Sequence, residues 1–283
     1  MILVTGGTGT SGGEIVSQLA ATGTPFRAMV RNPGKAAALR ITGVEIAIGD
    51  LSKPETLGPA LKGIDQVMLL LGSTPNQVEL ESNLVEAAKK AGIRHIVKLS
   101  AMTADPDSQS LFPRWHGQIE QQIRDSGIAW TFLRPTFFMQ NLLGLAGMVK
   151  QGTIYQPAAD SKAAFVDTQD IAAVAVEALS EPGHEGYAYD ITGPELLSYH
   201  DIARIFSEVL GKPVAYQDIP PIAAKQAMMG MGMPEWTADG VNQLMDQMRA
   251  GQYAKLSTAV EEVGKKEPVS LKAFLTEHAG AFR

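Results

Sequence analysis

The residues best suited to chemistry near the start of the chain form a glycine-rich loop, "VTGGTGTSGG", after an apolar run. Gly7, Gly9 and Gly12 have the spacing G-x-G-x-x-G, and Gly6, Gly9 and Gly12 have the spacing G-x-x-G-x-x-G. Such glycines permit a tight turn, a close backbone approach to a pyrophosphate and close packing of helix on strand. We therefore predict a dinucleotide seat formed by Gly6, Thr8, Gly9, Thr10, Ser11 and Gly12.

Ser11 and Glu14 have the S-x-x-E spacing of a capping box, which predicts a helix start at this loop. A helix N-terminus presents free backbone N–H groups and a favourable dipole to an anion. The alternative is a glycine-rich turn in a fold that binds no dinucleotide. A preceding strand and a following helix favour the binding interpretation.

Two basic residues follow the second predicted strand in "MVRNPGK". An acidic residue at the end of this strand would bind the ribose 2′-hydroxyl of NAD and repel a 2′-phosphate. Arg31 can instead bind a 2′-phosphate bidentately, and Lys35 can add a second positive charge. The sequence therefore favours NADP(H) over NAD(H), the alternative being two solvated basic residues on a loop.

Asp50 and Leu51 follow the third predicted strand in "IGDLS". Asp50 could accept a hydrogen bond from the adenine amino group while Leu51 lies against the ring. Asp is also a common helix N-cap, so Asp50 could serve only to start the next helix. The sequence does not decide between these two roles.

Short apolar runs and helical patterns alternate over the first 135 residues, which is typical of βαβ units around a parallel sheet. We predict an α/β protein with a Rossmann-type doubly wound parallel sheet and a smaller, mostly helical C-terminal lobe. The predicted NADP(H)-binding domain covers residues 1–152, with 165–192 returning to it, and the intertwined substrate lobe covers 153–283. Predicted strands are 2–5, 26–30, 44–48, 66–71, 95–99 and 130–133, and a helix is predicted over 76–91 with Gly92 ending it.

Composition narrows the classes of partner. A net charge of -6 without a basic run argues against nucleic acid or anionic lipid, and no cysteine excludes disulfides and thiolate metal sites. The longest apolar stretch, 128–149, contains Arg134, Gln140 and Asn141, which a bilayer would disfavour. Met1 leads directly into a strand, so we expect a cytoplasmic protein without a leader. The sequence is compatible with a monomer or an oligomer.

Several motifs in order resemble the NmrA-like group of atypical short-chain dehydrogenase/reductases: "VTGGTGTSGG", "VRNP", "HIVKLSA", "LRPTFFMQN", "FVDTQDIAAVAVEAL" and "YDITGPELLSYHDIARIFSEVLGKPV". The chain is most similar to its bacterial NADPH-dependent quinone reductases, triphenylmethane dye reductases and flavin-free azoreductases. The resemblance implies NADP(H) without flavin or metal. It implies nicotinamide contacts at Gly72, Ser73, Ser100, Ala101, Met102, Pro135, Thr136 and Phe137, and substrate contacts at Phe137, Phe138 and Tyr155. The alternative for Phe137 and Phe138 is packing in the core.

The chain departs from ordinary short-chain dehydrogenases in the helix that carries their Tyr-x-x-x-Lys pair. Here "FPRWHGQIE" places Phe112 at the Tyr position and His116 at the Lys position, while Glu120 is retained. Without the phenol, reversible alcohol oxidation lacks its acid and base. His116 is the catalytic candidate, either as a proton donor or as a group that orients the cofactor, the alternative being a structural histidine.

These residues predict an NADPH-dependent reductase of electron-poor conjugated acceptors such as quinones or azo dyes. The alternative function is an NADP(H)-binding redox sensor of NmrA type with little turnover. The expected partner is a small aromatic or quinone-like molecule, with no nucleic acid, membrane or metal. The methionine run "MMGMGM" is typical of adaptable packing, and it would suit a flat aromatic acceptor if it lined the pocket.

Overall fold

The structure is a computed structural model that describes residues 1–34, 39 and 44–283. It divides into two compact units. The first comprises Met1–Pro135, Thr168–Asp190 and Ala259–Lys266, and the second comprises Thr136–Asp167, Ile191–Thr258 and Glu267–Arg283. The first unit therefore ends its initial segment at Pro135, before the predicted boundary at 152, and takes in a late segment that the sequence did not indicate.

The first unit is built on a seven-stranded sheet. Its strands are β1 Ile2–Val4, β2 Phe26–Val30, β3 Glu45–Ile48, β4 Gln66–Leu69, β5 His95–Leu99, β6 Ala129–Pro135 and β8 Tyr187–Ile191. They lie in the order β3-β2-β1-β4-β5-β6-β8, and every pairing from β3 to β6 in that order is parallel. The strand order reverses between β1 and β4, which is the place where doubly wound sheets bind ligands.

Helices cover both faces of this sheet. The helices are α1 Thr10–Thr22, α2 Leu57–Leu61, α3 Gln77–Ala91, α4 Leu111–Asp125, α6 Thr168–Ser180 and α10 Ala259–Glu262. Residues of α2, α3 and α4 share one buried cluster with Val67 and Leu69 of β4 but not with Met68, as expected for side chains that alternate across a strand. Helix α1 packs against α6, and α6 also contacts β5 and β6. The predicted α/β doubly wound fold is confirmed.

The second unit combines helices with a parallel pair of strands, β7 Thr153–Gln156 and β9 Ala215–Asp218. Its helices are α5 Ala146–Lys150, α7 Tyr199–Leu210, α8 Pro221–Gly230, α9 Glu235–Arg249 and α11 Leu271–Glu277, with 3-10 turns at Met139–Leu145 and Ala279–Phe282. Phe206, Phe274 and Phe282 are fully buried at the centre of this unit.

Candidate functional site

The glycine loop between β1 and α1 has a shape that side chains at two positions would destroy. Gly6 has φ +64, and a Cβ there would lie 2.6 Å from the Leu70 carbonyl oxygen. A Cβ on Gly12 would lie 2.2 Å from the Gly6 carbonyl oxygen. The Thr5 hydroxyl, which the sequence analysis did not single out, donates to the Leu70 carbonyl and accepts from the Leu70 N–H, each at 2.8 Å. These contacts fix the loop beside the end of β4.

The start of α1 differs from the sequence prediction. The N-cap is Gly9, no side chain caps the helix, and the helix begins at Thr10. Glu14 instead accepts a hydrogen bond from Gln18 Nε2 at 2.9 Å. The capping box of Ser11 and Glu14 was therefore wrong, because the glycine packing starts the helix one residue before Ser11. The amides of an uncapped first turn have no intrahelical partner, so they are available to an anion.

The residues predicted to bind the adenosine end follow β2 and β3. Arg31 is exposed. The pKa of Asp50 is lowered chiefly by a hydrogen bond from the Ser52 N–H, and the positive charge of Arg31 makes a smaller contribution in the same direction. Asp50 Oδ1 accepts from the Ser52 N–H at 3.0 Å and from its hydroxyl at 2.8 Å. These bonds are local turn contacts. The N-cap of the following 3-10 turn at Pro54–Thr56 is Lys53, without a side-chain cap, so the alternative role of Asp50 as a helix N-cap was wrong. Leu51 is 6% exposed and packs in the core, and Lys35 lies outside the described residues.

The residues predicted to lie near the nicotinamide follow the next three strands of the sheet. Gly72 and Ser73 come after β4, where Ser73 is exposed, and Pro135 ends β6. Met102 donates its backbone N–H to the Pro135 carbonyl at 3.0 Å, which ties the loop after β5, containing Ser100 and Ala101, to the end of β6. Because parallel strands end at one sheet edge, these segments share that edge with the glycine loop.

Glu120 occupies the centre of a buried polar cluster. Ser100 donates its hydroxyl to Glu120 Oε1 at 2.6 Å, and Arg134 binds the same carboxylate through two nitrogens, with Nε at 2.9 Å. Arg124 Nη2 adds a further bond at 3.0 Å. The Ser100 side chain is therefore committed to Glu120, which joins α4 to β5 and β6.

His116 lies beside a buried ion pair that the sequence analysis missed. Lys98 Nζ is 2.7 Å from Glu81 Oε2 and 3.3 Å from His116 Nδ1, and neither Lys98 nor Glu81 has exposed side-chain surface. A lysine within an apolar strand is the sequence signal that could have found it, because buried lysines require partners. Its partner on α3 could not be read from the sequence.

The charge state and tautomer of His116 follow from this neighbour. Burial, and then the Lys98 ammonium, hold the pKa of His116 well below its usual value. An ammonium can only donate, so Nδ1 accepts and the proton of the neutral ring is on Nε2. Nε2 makes no hydrogen bond to any residue in the described part of the chain. His116 is thus a neutral N–H donor near pH 7.

The remaining predicted residues lie in the second unit. Phe137 and Tyr155 line a cavity there, whereas Phe138 does not and forms an isolated parallel bridge with Val166. Thr136 is buried and donates its backbone N–H to the Ile191 carbonyl at 3.1 Å. The structure therefore brings Phe137 and Tyr155 together and leaves Phe138 apart from the cavity wall.

The cavity has a volume of about 560 Å³, within the usual range for small-molecule sites. Its wall is mostly apolar and contains Met228, Met231 and Met233 from the methionine run. No sequence pattern indicated the other members of the wall, which include Leu142, Met148, Phe165, Tyr199, Ile219, Val241, Asn242 and Met245. Phe137 packs at 4.7 Å from the ring of Tyr253 and at 5.8 Å from that of Phe165.

Neither a metal cluster nor a membrane-spanning helix is found in the described residues. Among residues 1–34, 39 and 44–283, no group of three or more His, Cys, Asp or Glu side chains could hold a metal ion. Within the same ranges, no helix combines the length and apolar character needed to cross a bilayer.

Comparison with known proteins finds several named reductases that are similar to this chain. It is 44% identical over 283 residues to the NAD(P)H azoreductase of Xenophilus azovorans, covering 100% of this chain and 99% of the relative. The NADPH complex of an Escherichia coli NADPH-dependent quinone oxidoreductase matches with a TM-score of 0.92 at 28% identity, covering 99% of this chain and 100% of that one. The NADP(H) complex of the Citrobacter sp. triphenylmethane reductase matches with a TM-score of 0.90, the same identity and the same coverage.

The model of the NmrA-like family matches residues 1–275, which is most of the chain. The family resemblance predicted from the sequence is therefore confirmed. This chain belongs to the NmrA-like family.

Proposed function

We propose that this protein is an NADPH-dependent reductase that transfers hydride to an electron-poor conjugated acceptor, such as a quinone or an azo dye. The observation that carries the proposal is the cavity of the second unit, walled by three residues of the methionine run and by aromatic rings. Methionine side chains adapt to irregular shapes and make favourable contacts with aromatic faces. About 560 Å³ is enough for a planar molecule of two or three rings.

Three features of the first unit support NADP(H) as the cofactor. Gly6 and Gly12 leave space that a Cβ would fill, and the uncapped first turn of α1 offers amides to the pyrophosphate. Arg31 is exposed after β2, where it can bind a 2′-phosphate. We propose contacts near the nicotinamide from Gly72, Ser73, Ser100, Ala101, Met102, Pro135, Thr136 and Phe137.

Bound NADPH supplies a hydride, and a quinone that accepts it needs one proton to become the hydroquinone. The lowered pKa of His116 supports a role in orientation over proton donation, because the neutral ring has no spare proton near pH 7. We propose that its Nε2–H orients the cofactor, as the lysine of ordinary family members would. The proton then comes from solvent, which is adequate because a delocalised hydroquinone anion is a stable intermediate.

The test is oxidation of NADPH by purified protein without added flavin, followed by the near-ultraviolet absorbance of NADPH. We expect acceptor-dependent oxidation across a panel of quinones and azo dyes and faster turnover with NADPH than with NADH. If the protein binds NADPH tightly but none of the acceptors causes NADPH oxidation, the result would instead support the redox-sensor alternative. Equal affinity for oxidised and reduced cofactor with rapid turnover would exclude that alternative.

A further inference from the structure

Tyr199 is an aromatic residue of the cavity wall to which the proposed reaction has so far given no role. It is the first residue of α7 and is 5% exposed. A complete capping box fixes the start of this helix: Ser198 Oγ accepts from the Asp201 N–H, and Asp201 Oδ2 accepts from the Ser198 N–H at 3.0 Å. The ring also packs edge-on against Phe165, with the centroids 6.0 Å apart. Its position is therefore well defined.

The hydroxyl of Tyr199 makes no hydrogen bond to any residue within 1–34, 39 or 44–283. Buried tyrosine hydroxyls usually find a partner. This oxygen is also absent from the buried polar atoms that lack a partner, so it contributes to the small exposed surface of the side chain. Tyr199 lines a mostly apolar cavity, and its hydroxyl is neither partnered nor fully buried, so a ligand in the cavity has a donor to use on this side chain.

The protonation state of this phenol suits a donor. Burial, and then the neighbouring Tyr216, raise the pKa of Tyr199 far above its usual value. The hydroxyl consequently keeps its proton near neutral pH. A neutral O–H group in an apolar site binds a carbonyl oxygen or an azo nitrogen more strongly than it would in water.

We propose that Tyr199 donates a hydrogen bond to the heteroatom of the acceptor and thereby selects planar rings that carry a carbonyl oxygen or an azo nitrogen. The inference rests on the reductase function proposed above. As hydride arrives at the conjugated system, negative charge develops on that heteroatom, and the Tyr199 hydroxyl stabilises it without giving up its proton.

The first experiment measures equilibrium binding without NADPH, by quenching of tryptophan fluorescence, for naphthoquinone and for naphthalene. The two probes have similar shapes, but only naphthoquinone has carbonyl oxygens, and the chain has no cysteine for it to alkylate. We expect the wild type to bind naphthoquinone about threefold to tenfold more tightly than naphthalene. Tyr199→Phe should abolish this preference and leave naphthalene binding unchanged. An equal preference in both proteins would overturn the inference.

The second experiment measures turnover. Tyr199→Phe should lower kcat/KM for naphthoquinone about tenfold to a hundredfold, with an unchanged Kd for NADPH. Tyr216→Phe is the matched control, because the Tyr216 hydroxyl already donates to the Gln156 carbonyl at 3.0 Å. We expect kcat/KM of the Tyr216→Phe variant to stay within about twofold of the wild type. A Tyr199→Phe variant with wild-type kcat/KM would refute the role of the hydroxyl.

The two experiments separate the inference from the proposed function. If the wild type oxidises no NADPH with any acceptor but shows a preference for naphthoquinone that Tyr199→Phe abolishes, the reductase function fails and the hydrogen bond stands. If turnover is present but the preference does not depend on Tyr199, the reductase function stands and the hydrogen bond fails.

Discussion

Lys98→Met would remove the ammonium of the buried ion pair beside His116. Lys98 Nζ lies 2.7 Å from Glu81 Oε2, and neither side chain has exposed surface. Burial raises the pKa of Glu81, while the Lys98 ammonium lowers it, so loss of Lys98 strands a buried carboxyl group. Breaking a buried pair by removing one partner costs about 3–5 kcal/mol. We expect the free energy of unfolding to fall by about this amount.

Urea unfolding followed by circular dichroism tests the magnitude in a double-mutant cycle. Glu81→Gln alone should also be strongly destabilising, whereas the double variant should recover most of the loss because no charge remains unpaired. The matched control is the exposed pair Arg204 and Glu208 on α7, whose nitrogen and oxygen lie 2.6 Å apart with 59% and 42% of the side chains exposed. Its coupling energy should be about 0.3–0.5 kcal/mol. A coupling of that size for the buried pair would refute the reasoning.

The same variant tests the account of His116. Lys98→Met removes the donor to His116 Nδ1, so nitrogen NMR of the ring should show the Nε2–H tautomer in the wild type and a mixture in the variant. The pKa of His116 should also rise, because the ammonium is one cause of its depression. An unchanged tautomer and pKa would show that Lys98 does not control this ring.

Three further substitutions test the cofactor loop, the phosphate contact and the pH dependence. Arg31→Ala should weaken NADPH binding roughly tenfold to a hundredfold and NADH binding little, since a charged hydrogen-bonding contact is worth about 1.5–3 kcal/mol; equal losses in calorimetric titrations would contradict the 2′-phosphate role. Gly12→Ala should lower the urea midpoint and weaken NADPH binding, because the added Cβ would lie 2.2 Å from a backbone oxygen. Its control is Gly13→Ala, in which the atom nearest to the added Cβ lies 3.8 Å away, and this variant should be neutral or stabilising. The pKa of His116 is lowered from 6.5, so its neutral form stabilises the fold fully above pH 6.5 and this contribution is lost as the pH falls toward the lowered pKa. In His116→Gln the urea midpoint should therefore depend less steeply on pH below 6.5 than in the wild type. An unaltered slope would exclude this contribution.

Patterns that depend on neighbours in the chain could be read directly. The predicted strands at 26–30 and 95–99 have the same bounds as β2 and β5, because both are short, mostly apolar runs between turn residues. Gly92 ends α3 in the left-handed conformation, as its position after an amphipathic run indicates. The capping box failed for the opposite reason, since the packing of Gly12 against Gly6 outweighs a local side-chain preference at Ser11.

The sequence by itself therefore determined the doubly wound fold and the glycine loop, because local periodicity and short-range spacing encode them, and its ordered motifs showed the resemblance to the family. The tertiary structure alone decided which distant side chains meet. It placed Glu81 and Lys98 together from a helix and a strand, and it placed Tyr199 in the wall of one cavity with Phe137 and Met245. Such pairings depend on the packing of whole elements, which no spacing within one segment records.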